Sequence, residues 1–431
     1  MECIRLAVIG AAAVAAFLLY LLLARSPTGE GLFHAHPYSA RLAIIQRMSP
    51  EVHDALPLQL SSDFASPCWR RNASTGLQCL PAFFLAGAMQ SGVPDLWQRL
   101  HQHELVPAHH NAMSYWWTSH PRSSAGDFAA YVRRFSNKAT LRAVEARPES
   151  LLGDASSATF TFMFAESLRL HYRYLDAFDR CYLRCKGRHP PKSVPACKSR
   201  LKVSQGGYRG DHCYNVAERA TAPPDFNIPS LAVTVLPDLK VVVLLREPAE
   251  RLWIAFWKYR QFPDRYGSSA TGFGYYFGNQ SAAWHDCTRD FGTQACALRF
   301  EGNGPDQAGV FYHCDQLIKG MYSEFLGEWQ AYFPPNRLLV MHTSEHFKQP
   351  IQSARRVWQW LGLRNPTEAE AVAASQLQPL DELQSVAEKG RDVIPEPTMR
   401  AVKAFYFPFN KKLAAMLGDV SFKRGAWGVP A

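Results

Sequence analysis

The sequence predicts an α/β protein, a parallel β-sheet flanked by helices, carrying an N-terminal transmembrane helix. Three observations predict it. Short apolar runs at residues 83–86, 241–245 and 337–341 have the character of strands buried on both faces. Stretches with helical apolar spacing at residues 95–100, 228–237 and 320–333 alternate with them, the order expected of βαβ units. Residues 6–24 form an uncharged apolar run of 19 residues between Arg5 and Arg25, about the length that crosses a bilayer.

The N-terminal run is longer than the roughly 7–15 residues of a signal-peptide core, and no small-x-small cleavage site follows it. It reads as an uncleaved anchor, so residues 1–25 are expected to be a cytoplasmic tip and transmembrane segment. The flanking charges are balanced and do not set the orientation. Two sequons, Asn72-Ala73-Ser74 and Asn279-Gln280-Ser281, follow the anchor and are usable only if the body faces the secretory lumen. Residues 26–80 have little periodicity and read as a lumenal stem. The body, residues 81–431, opens with a strand at 83–86, a loop at 87–94 and a helix from Asp95. A small-residue loop, Gly-Asp-Ala-Ser-Ser-Ala-Thr, lies at 153–159. Beyond residue 353 helices dominate, including one over 399–417 that Pro408 is expected to break.

Lys plus Arg outnumber Asp plus Glu by 47 to 37, which favours an anionic partner. Nucleic acid is disfavoured, because no basic tract, zinc-finger spacing or basic helix is present. Nine of the ten cysteines follow the anchor in local clusters, as suits short-range disulfides in an oxidising lumen. Proximity pairs Cys68 with Cys79 and Cys287 with Cys296. A metal site at Cys181, Cys185, Cys197 and Cys213 is the rival, but no paired C-x-x-C spacing supports it, and no metal is expected.

The most informative stretch is residues 239–259, where a buried-type strand runs into Arg246-Glu247-Pro248 and an aromatic helix. Open α/β sheets place ligands at the carboxyl ends of their strands, and Pro248 starts a helix whose free N–H groups face the same point as the arginine. Arg246 is therefore a candidate anion ligand; the rival is a solvated arginine at a strand-to-helix corner. Arg251, one turn further on, either adds charge there or pairs with Glu247 or Glu250.

Five separated stretches in order resemble the Golgi carbohydrate sulfotransferases, most closely the N-acetylgalactosamine 4-sulfate 6-O-sulfotransferase-like group. They are residues 228–252, the loop from Gly153, the stretch from Gly320, the strand 338–341 and the run from Ala404. The resemblance covers roughly residues 80–425. It implies a nucleotide-kinase-like, P-loop-related fold on a single-pass type II Golgi anchor, with the body lumenal. It also implies sulfate transfer from 3′-phosphoadenosine 5′-phosphosulfate to a glycan or proteoglycan hydroxyl without a metal. Arg246 matches the ligand of the 3′-phosphate, for which a guanidinium offers two parallel charge-assisted hydrogen bonds. Gln90, Ser91, Gly92 and Val93 fall in the loop that wraps the 5′-phosphosulfate, where backbone N–H groups cradle phosphate.

The sequence departs from the family where chemistry is expected. Gln90 stands at the usual lysine, Val93 and Pro94 at two threonines, and Ile254 at a phosphate-binding serine. The usual catalytic glutamate falls at Ala112-Met113. Exchanging a charged for a neutral donor at developing charge loses on the order of 10²–10³ in rate. His109 or His110 is the nearest candidate base, and Trp116 and Trp117 either stack on a sugar or fill the core. Two functions follow: an active sulfotransferase, or a catalytically impaired relative that binds nucleotide or glycan. A phosphoryl-transferring enzyme is disfavoured by the lack of a Gly-Lys-Ser/Thr loop and of a magnesium-binding aspartate motif.

Overall fold

A computed structural model of the chain describes residues 37–70, 76–107, 113–118, 127–162, 227–298, 315–388 and 394–428. The apolar run 6–24, Asn72, His109, His110, Ala112, Cys181, Cys185, Cys197, Cys213 and Cys314 lie outside the described residues. Among those described, no helix is long and apolar enough to cross a membrane.

The described strands are β1 (Cys68–Trp69), β2 (Gln78–Cys79), β3 (Phe83–Gly87), β4 (Gly153–Asp154), β5 (Lys240–Leu245) and β6 (Leu338–His342). β1 and β2 form an antiparallel pair that sets Cys68 opposite Cys79, and the two are disulfide-bonded. Cys287 and Cys296 are bonded as well. The remaining strands form one parallel sheet in the order β4-β3-β5-β6.

Both sheet faces are covered, which is why β5 is apolar from Val241 to Leu245. Val241, Val243 and Leu245 face a core shared with Leu231, Phe256 and Trp329, while Val242 and Leu244 face a second core with Leu96, Val357 and Trp358. Each such buried side chain contributes about 1.5–3 kcal/mol. The helices start where capping chemistry dictates. Asn227 and Ser230 form a reciprocal capping box at the Ile228–Val235 helix, with Pro229 in its first turn. Glu247 caps the Pro248–Lys258 helix through a side chain that accepts from the Glu250 N–H.

Two expectations are corrected. Residues 38–70 and 76–79, expected to belong to a stem, include the helices Tyr38–Met48 and Pro50–Ala55 and the β1–β2 pair, which pack on the body. Ile45, Val52 and Trp69 are buried with Leu231 and Leu236, and the Arg41 guanidinium donates to the Thr234 carbonyl at 3.4 Å. Leu42, Ile45, Met48 and Val52 carry the helical signal, split where Pro50 begins the second helix. Pro408 does not break its helix, which runs unbroken from Glu396 to Leu417. Val402 and Tyr406 before the proline and Asn410, Leu413 and Ala414 after it share one buried face, and that packing outweighs the lost backbone hydrogen bond.

Candidate anion site at the carboxyl edge of the sheet

The loop after β3 is shaped by its neighbours. The Ala88 N–H donates to the Leu244 carbonyl of β5 at 2.6 Å, and Thr343 Oγ1, just past β6, donates to the Ser91 carbonyl at 2.8 Å. The Arg246 N–H donates to Ser91 Oγ at 3.3 Å, and Arg246 Nε to the Gln90 carbonyl at 2.7 Å. Gly92 then turns the chain into the Val93–Leu100 helix with φ of 82°, in the left-handed region that favours glycine. A Cβ there would lie 2.8 Å from the Phe347 ring, so the position needs glycine twice over.

Arg246 is not a solvated corner. It is 4% exposed, its Nη2 pairs with Asp381 at 2.7 Å, and its guanidinium lies 5.6 Å from the centre of the Phe347 ring. Glu250 is 3.9 Å from Nη1. Tyr322 fixes the backbone by donating its hydroxyl to the Arg246 carbonyl at 2.8 Å.

Arg251 does not take up the expected pairing with Glu247 or Glu250. It forms no ion pair with Glu247, Glu250 or any other carboxylate among the described residues, although it is fully buried. Its Nη1 donates to Gln90 Oε1 at 3.0 Å and to Gln316 Oε1 at 3.2 Å, its Nη2 donates to the Gln316 carbonyl, and its Nε has no hydrogen-bond partner. This settles the Gln90 amide: Oε1 faces the guanidinium, and Nε2 donates to the Tyr259 hydroxyl at 3.4 Å. Gln90 has φ of 58°, strained for a residue with a side chain. A buried cation thus abuts the loop where the sequence lacks a lysine, with a neutral amide between them.

The aromatic pair is core. Trp116 and Trp117 are at most 1% exposed, and Trp117 Nε1 donates to the Tyr131 hydroxyl at 2.9 Å, so neither offers a face to a sugar. Tyr131 and Ser114 donate in turn to Asp154 Oδ2, each at 2.9 Å, while Ser156 donates its N–H and hydroxyl to Oδ1. Burial pushes the Asp154 carboxyl up, and these hydrogen bonds only partly offset it. With its oxygens taken by four donors, Asp154 ties the loop after β4 to the Ser114–Trp117 turn. Sequence reasoning passed over this aspartate, whose signal was an acid at a strand end within a small-residue loop.

The other expected residues separate into two groups. Ser91 and Gly92 converge with Gln90 and Arg246, and Val93 joins through its backbone because its side chain is fully buried in the core. Ile254 is buried in the core at the serine position, and Met113 is half-buried with the Tyr115 hydroxyl 3.6 Å from its sulfur. Asn279 is exposed on the Ala270–Phe291 helix.

No family model matches the sequence. Over 361 residues, however, the chain is 22% identical to mouse carbohydrate sulfotransferase 15, covering 81% of this chain. The chain is a distant relative of a carbohydrate sulfotransferase. The human carbohydrate sulfotransferase 15 is likewise 22% identical over 364 residues and the rat protein 21% over 361. The chain spans 55% of the length of these sulfotransferases. Among solved structures, a sulfotransferase from Alicyclobacillus acidocaldarius superposes with a TM-score of 0.41 at 15% identity, covering 81% of this chain and 98% of that one. The sulfotransferase domain from the curacin biosynthetic pathway gives 0.29 at 11%, covering 79% and 98%. These superpositions are loose.

Beside Arg246, Glu247 is 4% exposed; its Oε2 accepts from the Glu250 N–H and its Oε1 has no partner. Burial pushes its carboxyl up from the ordinary 4.5 to about 7. The protonated acid is the form that suits the fold, so its contribution is full below 4.5 and is lost as pH rises through about 7. A shift of that size corresponds to about 3 kcal/mol. Glu247→Gln is therefore expected to flatten the fall in stability between about pH 5 and about pH 8, measured by urea unfolding. Parallel pH profiles for the two proteins would refute this.

Proposed function

We propose that this chain is a membrane-anchored carbohydrate sulfotransferase-like protein that binds 3′-phosphoadenosine 5′-phosphosulfate at the carboxyl edge of β3 and β5. One observation carries the reading. Arg246 is buried at the end of β5, its Nε held by the Gln90 carbonyl, and its Nη2 already donates to a carboxylate, the chain's own stand-in for an oxyanion. Gly92 offers its backbone N–H alongside, toward the Glu382 carboxylate. In this reading Arg246 grips the 3′-phosphate. The backbone of Ser91, Gly92 and Val93, at the start of the Val93–Leu100 helix, cradles the 5′ side. Gln90, polarised by Arg251, offers a neutral donor where charge develops on the leaving group. The acceptor is a glycan or proteoglycan hydroxyl, and no metal takes part. Residues 6–24 anchor the protein in the Golgi membrane as a type II protein, with Asn72 and Asn279 glycosylated in the lumen. The distant similarity to carbohydrate sulfotransferase 15 supports this reading.

A second reading, impaired catalysis with retained binding, is favoured by one observation: both ends of the Gln90 amide are engaged, by Arg251 and Tyr259, while Met113 supplies no acid. Transfer of radiolabelled sulfate to a glycan mixture by the natural protein would reject it.

The binding test is calorimetry of the full chain in detergent with 3′-phosphoadenosine 5′-phosphate. The natural protein is expected to bind. Arg246→Ala, which truncates one partner of a buried charge contact, is expected to lose about 2–5 kcal/mol, or at least about 30-fold in affinity. Equal binding by both proteins would remove Arg246 from the site, and no binding by the natural protein would reject the cofactor.

A further inference from the structure

The groups that would grip phosphate are occupied by carboxylates from one short segment of this chain. Asp381 pairs with Arg246 Nη2 at 2.7 Å. The next residue, Glu382, accepts from the Gly92 N–H at 3.4 Å and from Lys258 Nζ at 3.4 Å. Asp381 Oδ1 also accepts the Leu383 N–H at 3.0 Å, which fixes the turn between them. One side chain therefore sits on the arginine and its neighbour on the loop backbone, where two phosphate groups of a nucleotide would each need a donor.

The segment is fastened by backbone hydrogen bonds at its N-terminal end. The buried Arg99 donates to the carbonyls of Ala374 and Leu377 at 2.6 and 3.1 Å, and the Leu380 N–H donates to Asp95 Oδ1 at 2.8 Å. These bonds hold residues 374–380 to the Val93–Leu100 helix. Among the described side chains from Ser375 to Ala387 none is fully buried, and Leu380 is 47% exposed. Asp381 and Glu382 themselves are held by charge and hydrogen bonds, with only the partly buried Leu383 and Val386 packing behind them at the edge of the core. A phosphate, with more charge and three acceptor oxygens, competes for those same donors on favourable terms.

We propose that Asp381 and Glu382 form an acidic strap that fills the phosphate positions and must swing away, hinged after Leu380, for nucleotide to bind. The strap rests on the anion-site reading above, and it makes the site self-occluding. A site that is closed most of the time binds its ligand more weakly in proportion to the closed fraction.

The test compares the full chain with the Asp381→Asn, Glu382→Gln double variant, using 3′-phosphoadenosine 5′-phosphate and, separately, inorganic pyrophosphate. The double variant is expected to bind the nucleotide at least about tenfold more tightly. In the natural protein, which needs no variant to fold, the nucleotide is expected to accelerate hydrogen exchange at residues 381–388 while the Leu380 amide stays protected. Equal or weaker nucleotide binding by the variant, the latter being the mark of an aspartate that merely orients Arg246, overturns the strap and leaves the nucleotide site standing. Tighter pyrophosphate binding with no nucleotide binding by either protein keeps the strap and rejects the nucleotide. No binding of either probe by either protein overturns both.

Discussion

Replacing Asp95 with alanine is expected to cost the folded protein about 3–5 kcal/mol, read as a lower urea midpoint with unchanged slope. Asp95 and Arg99 are at most 1% exposed and pair one helical turn apart at 2.7 Å, and His346 Nε2 lies 2.8 Å from the same carboxylate. Truncating the acid leaves a buried guanidinium without its counter-charge, which costs more than the pair is worth intact. The double variant Asp95→Leu, Arg99→Met leaves no orphan, so its cost is expected to fall well short of the sum of the single changes. Burial opposes ionisation of Asp95, but hydrogen bonds from His346, Arg99 and the Leu380 N–H outweigh it and hold the carboxyl well below the usual carboxylate range. Its contribution is therefore intact above that range and is lost as pH falls through and below it. A cost below about 1 kcal/mol for Asp95→Ala would mean the buried network relaxes instead.

The second large effect is an opposition between stability and affinity at position 90. Gln90→Glu gives Arg251 the counter-charge it lacks and sets a negative charge in the loop. Gln90→Lys does the reverse, bringing an ammonium toward a buried guanidinium now 3.0 Å from the amide oxygen. Thermal stability without ligand is expected to rank Glu, Gln, Lys, and affinity for 3′-phosphoadenosine 5′-phosphate to rank Lys, Gln, Glu. Each step is on the order of 1–3 kcal/mol, as for a charged group gaining or losing its partner. If turnover is measurable, Gln90→Lys is expected to raise it by about 10²–10³. Melting curves and calorimetry on the three proteins decide the matter; affinity and stability rising together along the series would contradict the arrangement of Arg251 against Gln90.

The strands were legible because burial on both faces leaves a one-dimensional mark, an unbroken apolar run such as Val241 to Leu245. The arginine was legible because the end of a strand and a helix-starting proline fix its place. The bonded pairs Cys68–Cys79 and Cys287–Cys296 followed from closeness in sequence. What escaped depends on contacts distant along the chain. Asp381 meets Arg246 across 135 positions, and no local pattern marks it as an anion's stand-in. Arg251 had two readings, added charge at the site or a pair with Glu247 or Glu250, because helical spacing says which residues are near but not which face the core buries. Trp116 and Trp117 had two readings until the Tyr131–Asp154 network enclosed them. Pro408 was read by its local penalty, which burial of Tyr406 and Leu413 outweighs.

Three of the contacts that shape the loop after β3 come from the ends of β5 and β6 and use only the loop's backbone. Leu244 receives the Ala88 N–H, Arg246 holds the Gln90 carbonyl, and Thr343 holds the Ser91 carbonyl; in each of these contacts the loop contributes only backbone. A substitution at position 90 therefore acts on what the loop presents, through Arg251 and Tyr259, more than on the path of its backbone.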